Sequence, residues 1–279
     1  MWLLAATPLA AEIRSLTILH VNDLHARISP LDNHNGGFAF LAAVLQRERA
    51  DCKDCIFLSA GDLVQGSPVS TIFHGLPVFE IGNLLGFDAA TLGNHDFDYG
   101  WLQARKFIQT AKYPMVSSNI VNAEGRLFTP KPYVILTVNG LRVAVIGAMT
   151  DTLHSLSTPK LLEEWHTLPV FDTVRKYAAE LRDKSDLIVL LAHITGEVGS
   201  ERALSDLGSA GGNVRLGYWL STPNKCVLGG DRQQISYAVL VERIERGLRP
   251  LFGGQANEFW NALHRSALIS VDQPKSKPL

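Results

Sequence analysis

Four short segments rich in apolar residues constrain the fold of this chain more than any other feature. They are LTILHV (Leu16–Val21), CIFLSA (Cys55–Ala60), AATL (Ala89–Leu92) and LIVLLA (Leu187–Ala192). A strand reads as a continuous apolar run when both faces of its sheet are covered, as in sheets that helices flank. The segments therefore predict buried strands rather than strands with one face in water.

Between these strands lie patterns with helical spacing. Two apolar faces stand out, one made of Phe38, Leu41, Ala42 and Leu45, the other of Val174, Tyr177, Ala178 and Leu181. Alternating strands and helices predict an α/β fold with a largely parallel sheet. Asn139-Gly140 separates two β-rich runs, which predicts a type I′ hairpin and hence an antiparallel piece.

Composition limits the classes of partner. The 279 residues, 46% of them hydrophobic, suit one globular domain with or without a tail. A net charge of -1 offers no basic surface for nucleic acid, so we expect no nucleic-acid partner. No apolar run reaches the roughly 18 residues of a membrane span. The sequence does not indicate an oligomeric state.

The N-terminal stretch MWLLAATPLAAE is an apolar run that ends in small residues. This pattern is typical of the end of a secretory signal, with a cleavage point near Ala11, although a positive leading region is missing. We interpret residues 1–11 as a signal-peptide remnant and predict a periplasmic or secreted protein. In that setting the C-x-x-C pair Cys52 and Cys55 favours a local disulfide over a zinc or redox site.

Polar residues follow four of the predicted strands. Asp23 and His25 follow the first strand, Asp62 the second, Asn94, His95, Asp96 and Asp98 the third, and His193 the last. Because ligands of open α/β sheets collect at the carboxyl ends of strands, we expect these side chains at one sheet edge. Asp23-x-His25, if extended, would point both side chains to one side.

The donor types indicate two divalent metal ions. Mixed nitrogen and oxygen ligands suit Zn, Mn, Fe or Co better than Ca, and the lack of thiolates argues against a structural zinc. Paired cations are a known means of directing a water-derived nucleophile to phosphorus. His95, oriented by Asp98, fits an acid that protonates the leaving alkoxide. Asp96 fits a residue that shapes the loop, and Gly93 and Gly100 fit turn residues.

The segments LTILHVNDLHARI, LSAGDLVQGSPVS and GFDAATLGNHDFDYG resemble the first three blocks of the calcineurin-like metallophosphoesterases. The GD and GNH blocks are shared across that superfamily. NDLHA after an apolar strand, and the FDYG extension, are more typical of its branch of periplasmic and extracellular 5′-nucleotidases. The resemblance covers about Leu16 to His193, which corresponds to the N-terminal catalytic domain alone.

The resemblance implies a fold and a set of roles. The fold would be a four-layer αββα sandwich with two mixed sheets. Asp23 and His25 would hold one metal, Asp62 would bridge, and Asn94 and His193 would hold the second. His95, steered by Asp98, would stabilise the transition state or protonate the leaving group. The resemblance also predicts that Asn94, His95 and, after a further strand, Asn119 contact the substrate.

Two departures from the family pattern concern the C-terminal part of the chain. The family completes its metal shells with a Gly-His-x-His or Gly-His-x-Gln block, and no Gly-His follows His193. In VLGGDRQQ, Asp231 and Gln233 are the candidates to replace it. We also expect no room for the family's C-terminal nucleoside-binding domain. We therefore divide the chain into a catalytic core (12–196) and a divergent or truncated segment (197–279) with a disordered tail.

These features predict a metal-dependent phosphoesterase of the 5′-nucleotidase type, which hydrolyses phosphate monoesters of nucleotides with a hydroxide held on two metals. The enzymatic alternatives are a 2′,3′-cyclic-nucleotide phosphodiesterase and a sugar-nucleotide hydrolase. The alternative without enzymatic activity is an incomplete metallophosphatase that cannot hold both metals.

Overall fold

The computed structural model describes residues 16–30, 36–194 and 215–220. Within these ranges the strands are β1 (Thr17–Val21), β2 (Cys55–Ser59), β3 (Ala89–Ala90), β4 (Ile120–Val121), β5 (Tyr133–Val138), β6 (Leu141–Met149), β7 (His166–Thr167), β8 (Leu187–His193) and β9 (Arg215–Leu220). The helices are α1 (Phe38–Asp51), α2 (Pro68–Phe73), α3 (Leu76–Leu85), α4 (Trp101–Thr110), α5 (Leu153–Leu156), α6 (Pro159–Leu162) and α7 (Val170–Leu181), with one 3₁₀ turn at Asn94–Phe97.

The strands form two main sheets and a small ribbon. The first sheet has the order β1-β2-β3, and the second has the order β5-β6-β8-β9. Strands β4 and β7 pair separately as an antiparallel ribbon. The second sheet is mixed, as expected, because β5 runs antiparallel to β6 while β8 and β9 run parallel. The first sheet differs from the expected mixed sheet, since its named strands pair only in parallel in the described part of the chain.

The two sheets pack face to face, and helices cover their outer faces. Alternate residues of each strand enter different cores: Ile18 of β1 and Val189 of β8 lie in the core between the sheets. Leu19 of β1 instead packs with α1, α3 and α4, and Leu190 of β8 packs with α7. These three cores confirm the four-layer αββα sandwich. They also explain the apolar runs, because both faces of each central strand are buried.

The hairpin between β5 and β6 confirms the turn predicted at Asn139-Gly140. Asn139 has φ 50° and Gly140 has φ 69°. Both central residues of a type I′ turn need positive φ, and this turn follows the right-handed twist of the paired strands. Val138 pairs directly with Leu141 across it. The local sequence therefore fixes the register of β5 on β6.

Helix α1 buries the expected face at Phe38 and Leu45, with Leu41 packed against the same core, but not at Ala42. Ala42 is exposed, whereas Phe38, Leu45 and Glu48 are buried. The buried stripe thus runs from Phe38 through Leu45 to Glu48, and Ala42 lies outside it. The Glu48 carboxylate is tolerated because it pairs with the guanidinium of Arg47 at 2.9 Å.

Cys52 and Cys55 are free thiols in this structure, so the predicted disulfide is not formed. The Cys55 thiol instead approaches the Cys52 carbonyl oxygen at 3.3 Å. Burial, together with the neighbouring Cys52, raises the pKa of Cys55 to about 12. The thiol therefore stays protonated at neutral pH, unlike a reactive cysteine.

Strand β9 lies beyond the predicted core boundary at residue 196. It pairs in parallel with β8 along its whole length, from Leu187↔Arg215 to Ala192↔Leu220. The second sheet therefore includes part of the segment predicted to diverge. The signal-peptide remnant (1–11) and the predicted tail lie outside the described residues, and the domain boundaries stay predictions. None of the described helices is long and apolar enough to span a membrane.

Candidate metal centre

The loops that follow β1 and β2 run side by side at one edge of the first sheet. The Asp23 backbone N–H donates to the Gly61 carbonyl at 3.1 Å, and the His25 N–H donates to the Asp62 carbonyl at 3.0 Å. Strand ends from different parts of the chain therefore bring Asp23, His25 and Asp62 together, as the sequence predicted for this edge.

The turn that carries Asp23 and His25 is not extended, which corrects the expectation for its backbone. Asp23 has φ 51° and His25 has φ 45°, and Asp62 in the adjacent loop has φ 53°. Such left-handed angles are uncommon for residues other than glycine and concentrate at functional sites. The two side chains converge because the turn is left-handed, and not because residues i and i+2 of a strand share a face.

The two carboxylate oxygens of Asp62 have different surroundings. Oδ1 accepts a hydrogen bond from the His95 backbone N–H at 2.9 Å. Oδ2 lies 3.8 Å from His25 Nε2 and 3.3 Å from His193 Nε2. Burial acts to raise the pKa of Asp62, but His193 first, then His95 and His25, lower it to about 2. The carboxylate is therefore ionised, and Oδ2 lies close to the imidazoles of both His25 and His193.

His193 is buried, and its ring orientation is fixed by two contacts. Nδ1 lies 2.9 Å from the Ala60 carbonyl oxygen, so Nδ1 carries the proton that this bond requires. Nε2 faces Asn94 Oδ1 at 3.0 Å as well as Asp62 Oδ2. Burial acts to lower the pKa of His193, but the Asp62 carboxylate raises it to about 9. A histidine held through Nδ1 by a backbone carbonyl is the usual arrangement of a metal ligand that binds through Nε2.

The donor set fits a divalent metal. One ligand atom from each of Asp23, Asp62 and His193 lies within 4.8 Å of the others. His25 Nε2 is 3.8 Å from Asp23 Oδ1, and the Asn22 amide donates to the Asp23 carboxylate. The structure thus brings together all five of the predicted ligands that it describes. Their mixture of carboxylate, imidazole and amide groups suits a transition metal rather than calcium.

His95 and Asp98 form the predicted pair beside this cluster. His95 Nδ1 lies 2.8 Å from Asp98 Oδ2, and the His95 side chain is 37% exposed. The bond to Asp98 is the main cause that raises the pKa of His95 above its ordinary value, and the Asp62 charge adds to it. The rings of His95 and His25 meet edge to face with centroids 5.2 Å apart. His95 is thus favoured in its protonated form and remains open to solvent.

Gly93 and Gly100 serve different purposes. Gly100 has φ +84°, which confirms a turn residue. Gly93 is not one, because its φ of -99° and ψ of 168° are ordinary extended values. A Cβ on Gly93 would overlap the Asp62 carboxylate, and one on Gly61 would overlap the backbone of Gly93. Glycine stands at position 93 because the two loops touch there.

Asp96 shapes the loop, as the sequence predicted. It is fully buried, and its oxygens accept hydrogen bonds from the backbone N–H groups of Leu63, Val64 and Gly93. Burial first, and then the Asp62 charge, raise the pKa of Asp96 to about 7.

Asn119 lies next to the centre but turns its amide into the protein. Its Nδ2 donates to the carbonyls of Met149 (2.7 Å) and Leu168 (3.0 Å), and its Oδ1 accepts from the Met149 N–H (2.8 Å). Asn119 is also fully buried. This geometry disfavours the predicted substrate contact and gives Asn119 the role of supporting Met149, which pairs with His193 across β6 and β8.

Two further predicted ligands, Asp231 and Gln233, lie outside the described residues. Two contacts of the centre were not anticipated. The Ala60 carbonyl that orients His193 is a backbone group 133 residues away and leaves no trace in sequence. Asn22 could have been found from its place at the end of β1, directly before Asp23.

Comparison with known proteins agrees with this arrangement. The family model described as calcineurin-like phosphoesterase matches residues 16–231. A probable 5′-nucleotidase of Treponema pallidum is 34% identical over 204 residues, which are 67% of this chain and 34% of the relative. A 5′-nucleotidase of Vibrio cholerae is 32% identical over 234 residues, which are 81% of this chain and 41% of the relative.

The fold agrees as well. The crystal structure of a 5′-nucleotidase precursor from Thermus thermophilus superposes with a TM-score of 0.65 at 27% identity, over 77% of this chain and 45% of that one. The chain thus spans less than half the length of each of these three relatives. Since the family match covers residues 16–231, most of the chain, and includes every candidate ligand that the structure describes, the chain belongs to the calcineurin-like phosphoesterase family.

Proposed function

We propose that the chain is a metal-dependent phosphoesterase that hydrolyses phosphate monoesters, most of all those of nucleotides. The observation that carries the proposal is the environment of Asp62. One of its oxygens is fixed by the His95 backbone N–H, while the other faces His25 and His193. A carboxylate in this position is suited to bridge two cations, one held by His25 and the other by His193.

The proposed metal shells follow the grouping around Asp62. Asp23 and His25 would hold one cation, and Asn94 and His193 the other, because His193 Nε2 faces Asn94 Oδ1 directly. The family match ends at residue 231, so it includes Asp231, while Gln233 lies just beyond it; both stay candidates to complete the shells. Two such cations, when bound, supply a nucleophile from water and neutralise charge on the phosphate oxygens.

His95 would act on the leaving group. Its Nδ1 is bonded to Asp98, so Nε2 is the nitrogen left to face a substrate. Because Asp98 raises the pKa of His95, it favours the protonated ring, which would donate its proton to the departing alkoxide. Asn94 and His95 are adjacent in the same 3₁₀ turn, so both would contact the phosphoryl group.

We propose a nucleotide as the substrate, and a periplasmic or secreted location from the apolar N-terminal stretch. The named relatives are 5′-nucleotidases, but the chain spans only 34% and 41% of their lengths. We therefore take the nucleotide as the first substrate class to test, with cyclic nucleotides and sugar nucleotides as the enzymatic alternatives.

A substrate panel tests this proposal. The purified full chain would be assayed with Mn²⁺ against 5′-AMP, 3′-AMP, 2′,3′-cyclic AMP, UDP-glucose and bis-p-nitrophenyl phosphate. We expect fastest release of phosphate from 5′-AMP, and complete loss of activity with a strong chelator. Activity that survives chelation would overturn the metal mechanism, and preference for a cyclic or sugar nucleotide would overturn the substrate class.

The sequence has no Gly-His block after His193. This favours one alternative to the proposed enzyme, a folded domain that cannot hold both metals. The alternative predicts one bound metal or none, and no turnover with any ester in the panel. Metal content and turnover, measured on the same preparation, separate the two readings.

A further inference from the structure

Asp96 lies where the loop that carries Asp62 meets the loop that carries Asn94. Its carboxylate is fully buried and receives three backbone hydrogen bonds. Oδ1 accepts from the N–H groups of Leu63 at 3.1 Å and Val64 at 3.3 Å, and Oδ2 accepts from the Gly93 N–H at 2.8 Å. One side chain therefore satisfies buried donors of both loops.

Each of these donors lies within two residues of a proposed metal ligand. Leu63 follows Asp62 directly, and Gly93 comes directly before Asn94. A fourth hydrogen bond joins the same loops in the opposite direction, from the His95 backbone N–H to Asp62 Oδ1 at 2.9 Å. The backbone around Asp62 is thus held by Asp96, and the side chain of Asp62 is held by the backbone next to Asp96.

We infer that Asp96 is a positioning residue, which sets the separation between the Asp62 carboxylate and the Asn94 amide. It does not touch metal or substrate in this role. The inference rests on the proposed metal centre, because the separation matters only if Asp62 and Asn94 hold metal together. It goes beyond loop shaping, since it predicts a specific effect on metal affinity.

The chemistry of the contact requires a carboxylate of this length. Three N–H donors need acceptors only, and a carboxylate can offer an acceptor at both of its oxygens. The amide of Asp96→Asn would set an NH₂ group against a backbone N–H of one loop. The longer side chain of Asp96→Glu has no room in a fully buried position unless the loops move apart. Either change therefore disturbs the spacing of the loops.

If Asp96 only stabilised the fold, its variants would lose stability without a change in metal affinity. The test therefore measures both stability and metal affinity. The full chain and the Asp96→Asn and Asp96→Glu variants would be titrated with Mn²⁺, by calorimetry and by electron paramagnetic resonance. Thr129→Val is the matched control. Its hydroxyl is also buried and bonded to backbone, accepting from the Ser117 N–H at 2.9 Å and donating to the Lys131 carbonyl at 2.9 Å.

We expect the Asp96 variants to weaken Mn²⁺ binding by about 10- to 100-fold, the usual effect of removing a group that orients metal ligands. We also expect weaker magnetic coupling between the two ions. Thr129→Val should lower the melting temperature and leave Mn²⁺ affinity unchanged. Wild-type affinity and coupling in folded Asp96 variants would overturn the inference.

If neither Asp96 variant folds, hydrogen exchange in the wild-type chain decides the question. Zn²⁺ should slow exchange at the Leu63, Val64 and Gly93 amides, because metal held by both loops tightens the Asp96 contacts. Unchanged exchange at all three amides would overturn the inference. Failure of the wild-type chain to bind metal would instead overturn the proposed function itself.

Discussion

At the scale of single residues, the centre depends on groups that are each given one orientation by the backbone. His193 is held through Nδ1 by the Ala60 carbonyl, and Asp62 is held through Oδ1 by the His95 N–H. The remaining atom of each, Nε2 and Oδ2, faces the shared space at the sheet edge. Orienting contacts of this kind fix ligand geometry before a metal arrives.

Neighbouring residues of the 3₁₀ turn should separate metal binding from turnover. Asn94→Ala removes the oxygen that faces His193 Nε2, so both metal occupancy and phosphate release should fall. His95→Ala removes only the proposed acid, so turnover should fall by about 10²- to 10⁴-fold while metal content stays at the wild-type level. Elemental analysis and a phosphate-release assay check this. Equal metal loss in the two variants would contradict the division of roles.

The pH profile should report the contact between His95 and Asp98. An acid acts in its protonated form, so turnover is lost as pH rises through the pKa of His95. Asp98 raises that pKa, so Asp98→Asn should lower it and shift the alkaline limb of kcat to lower pH. The shift is read from kcat at saturating substrate and Mn²⁺. An alkaline limb at the same pH in both proteins would show that Asp98 does not control the proton on His95.

At the scale of elements, strands β1, β2, β3 and β8 end at the candidate centre, and close contact of their loops builds it. The sequence was sufficient to predict these strands and the β5–β6 hairpin, because a buried strand and a type I′ turn depend on nearby residues. The left-handed turn at Asp23 and His25 was not predictable in this way. It depends on hydrogen bonds to Gly61 and Asp62, which lie more than 30 residues away along the chain.

The loop contact at Gly93 offers a test with a matched control. Gly93→Ala should destabilise the protein strongly and reduce metal binding, because the added Cβ overlaps Asp62. Gly125→Ala is the control, since its Cβ would meet nothing within 4 Å and only its φ of +74° is unfavourable. The control should cost about 1 kcal/mol of unfolding free energy and leave metal binding intact. Urea unfolding and Mn²⁺ titration measure both effects, and similar costs in the two variants would contradict the loop contact.

At the scale of the whole molecule, the centre lies at the seam between the two sheets. Asp23, Asp62 and Asn94 follow strands of the first sheet, whereas His193 ends β8 of the second. The ligands therefore meet only when the sheets pack through the core that contains Ile18 and Val189. Sequence motifs were sufficient to predict the candidate ligands that follow the strands of each sheet. The contact of His193 with the Ala60 carbonyl was not predictable from them, because it forms only when the two sheets pack together.

Acid should weaken the folded molecule through His20 in β1. Burial lowers the pKa of His20 from 6.5 to about 4. The unfolded chain thus binds the proton more readily, so the unfolding free energy falls as pH drops from about 6.5 to 4, by about 3 kcal/mol for this group. His20→Gln should flatten that part of the curve. Urea unfolding at several pH values measures it, and equal slopes for both proteins would exclude His20 as the cause.

The number of tightly bound divalent ions per chain tests the central claim most directly. The full-length protein would be loaded with Mn²⁺, freed of loosely bound metal by dialysis, and measured by elemental analysis against protein concentration. The arrangement of Asp23, His25, Asn94 and His193 around Asp62 predicts two ions per chain. One ion or none would contradict a dinuclear phosphoesterase centre.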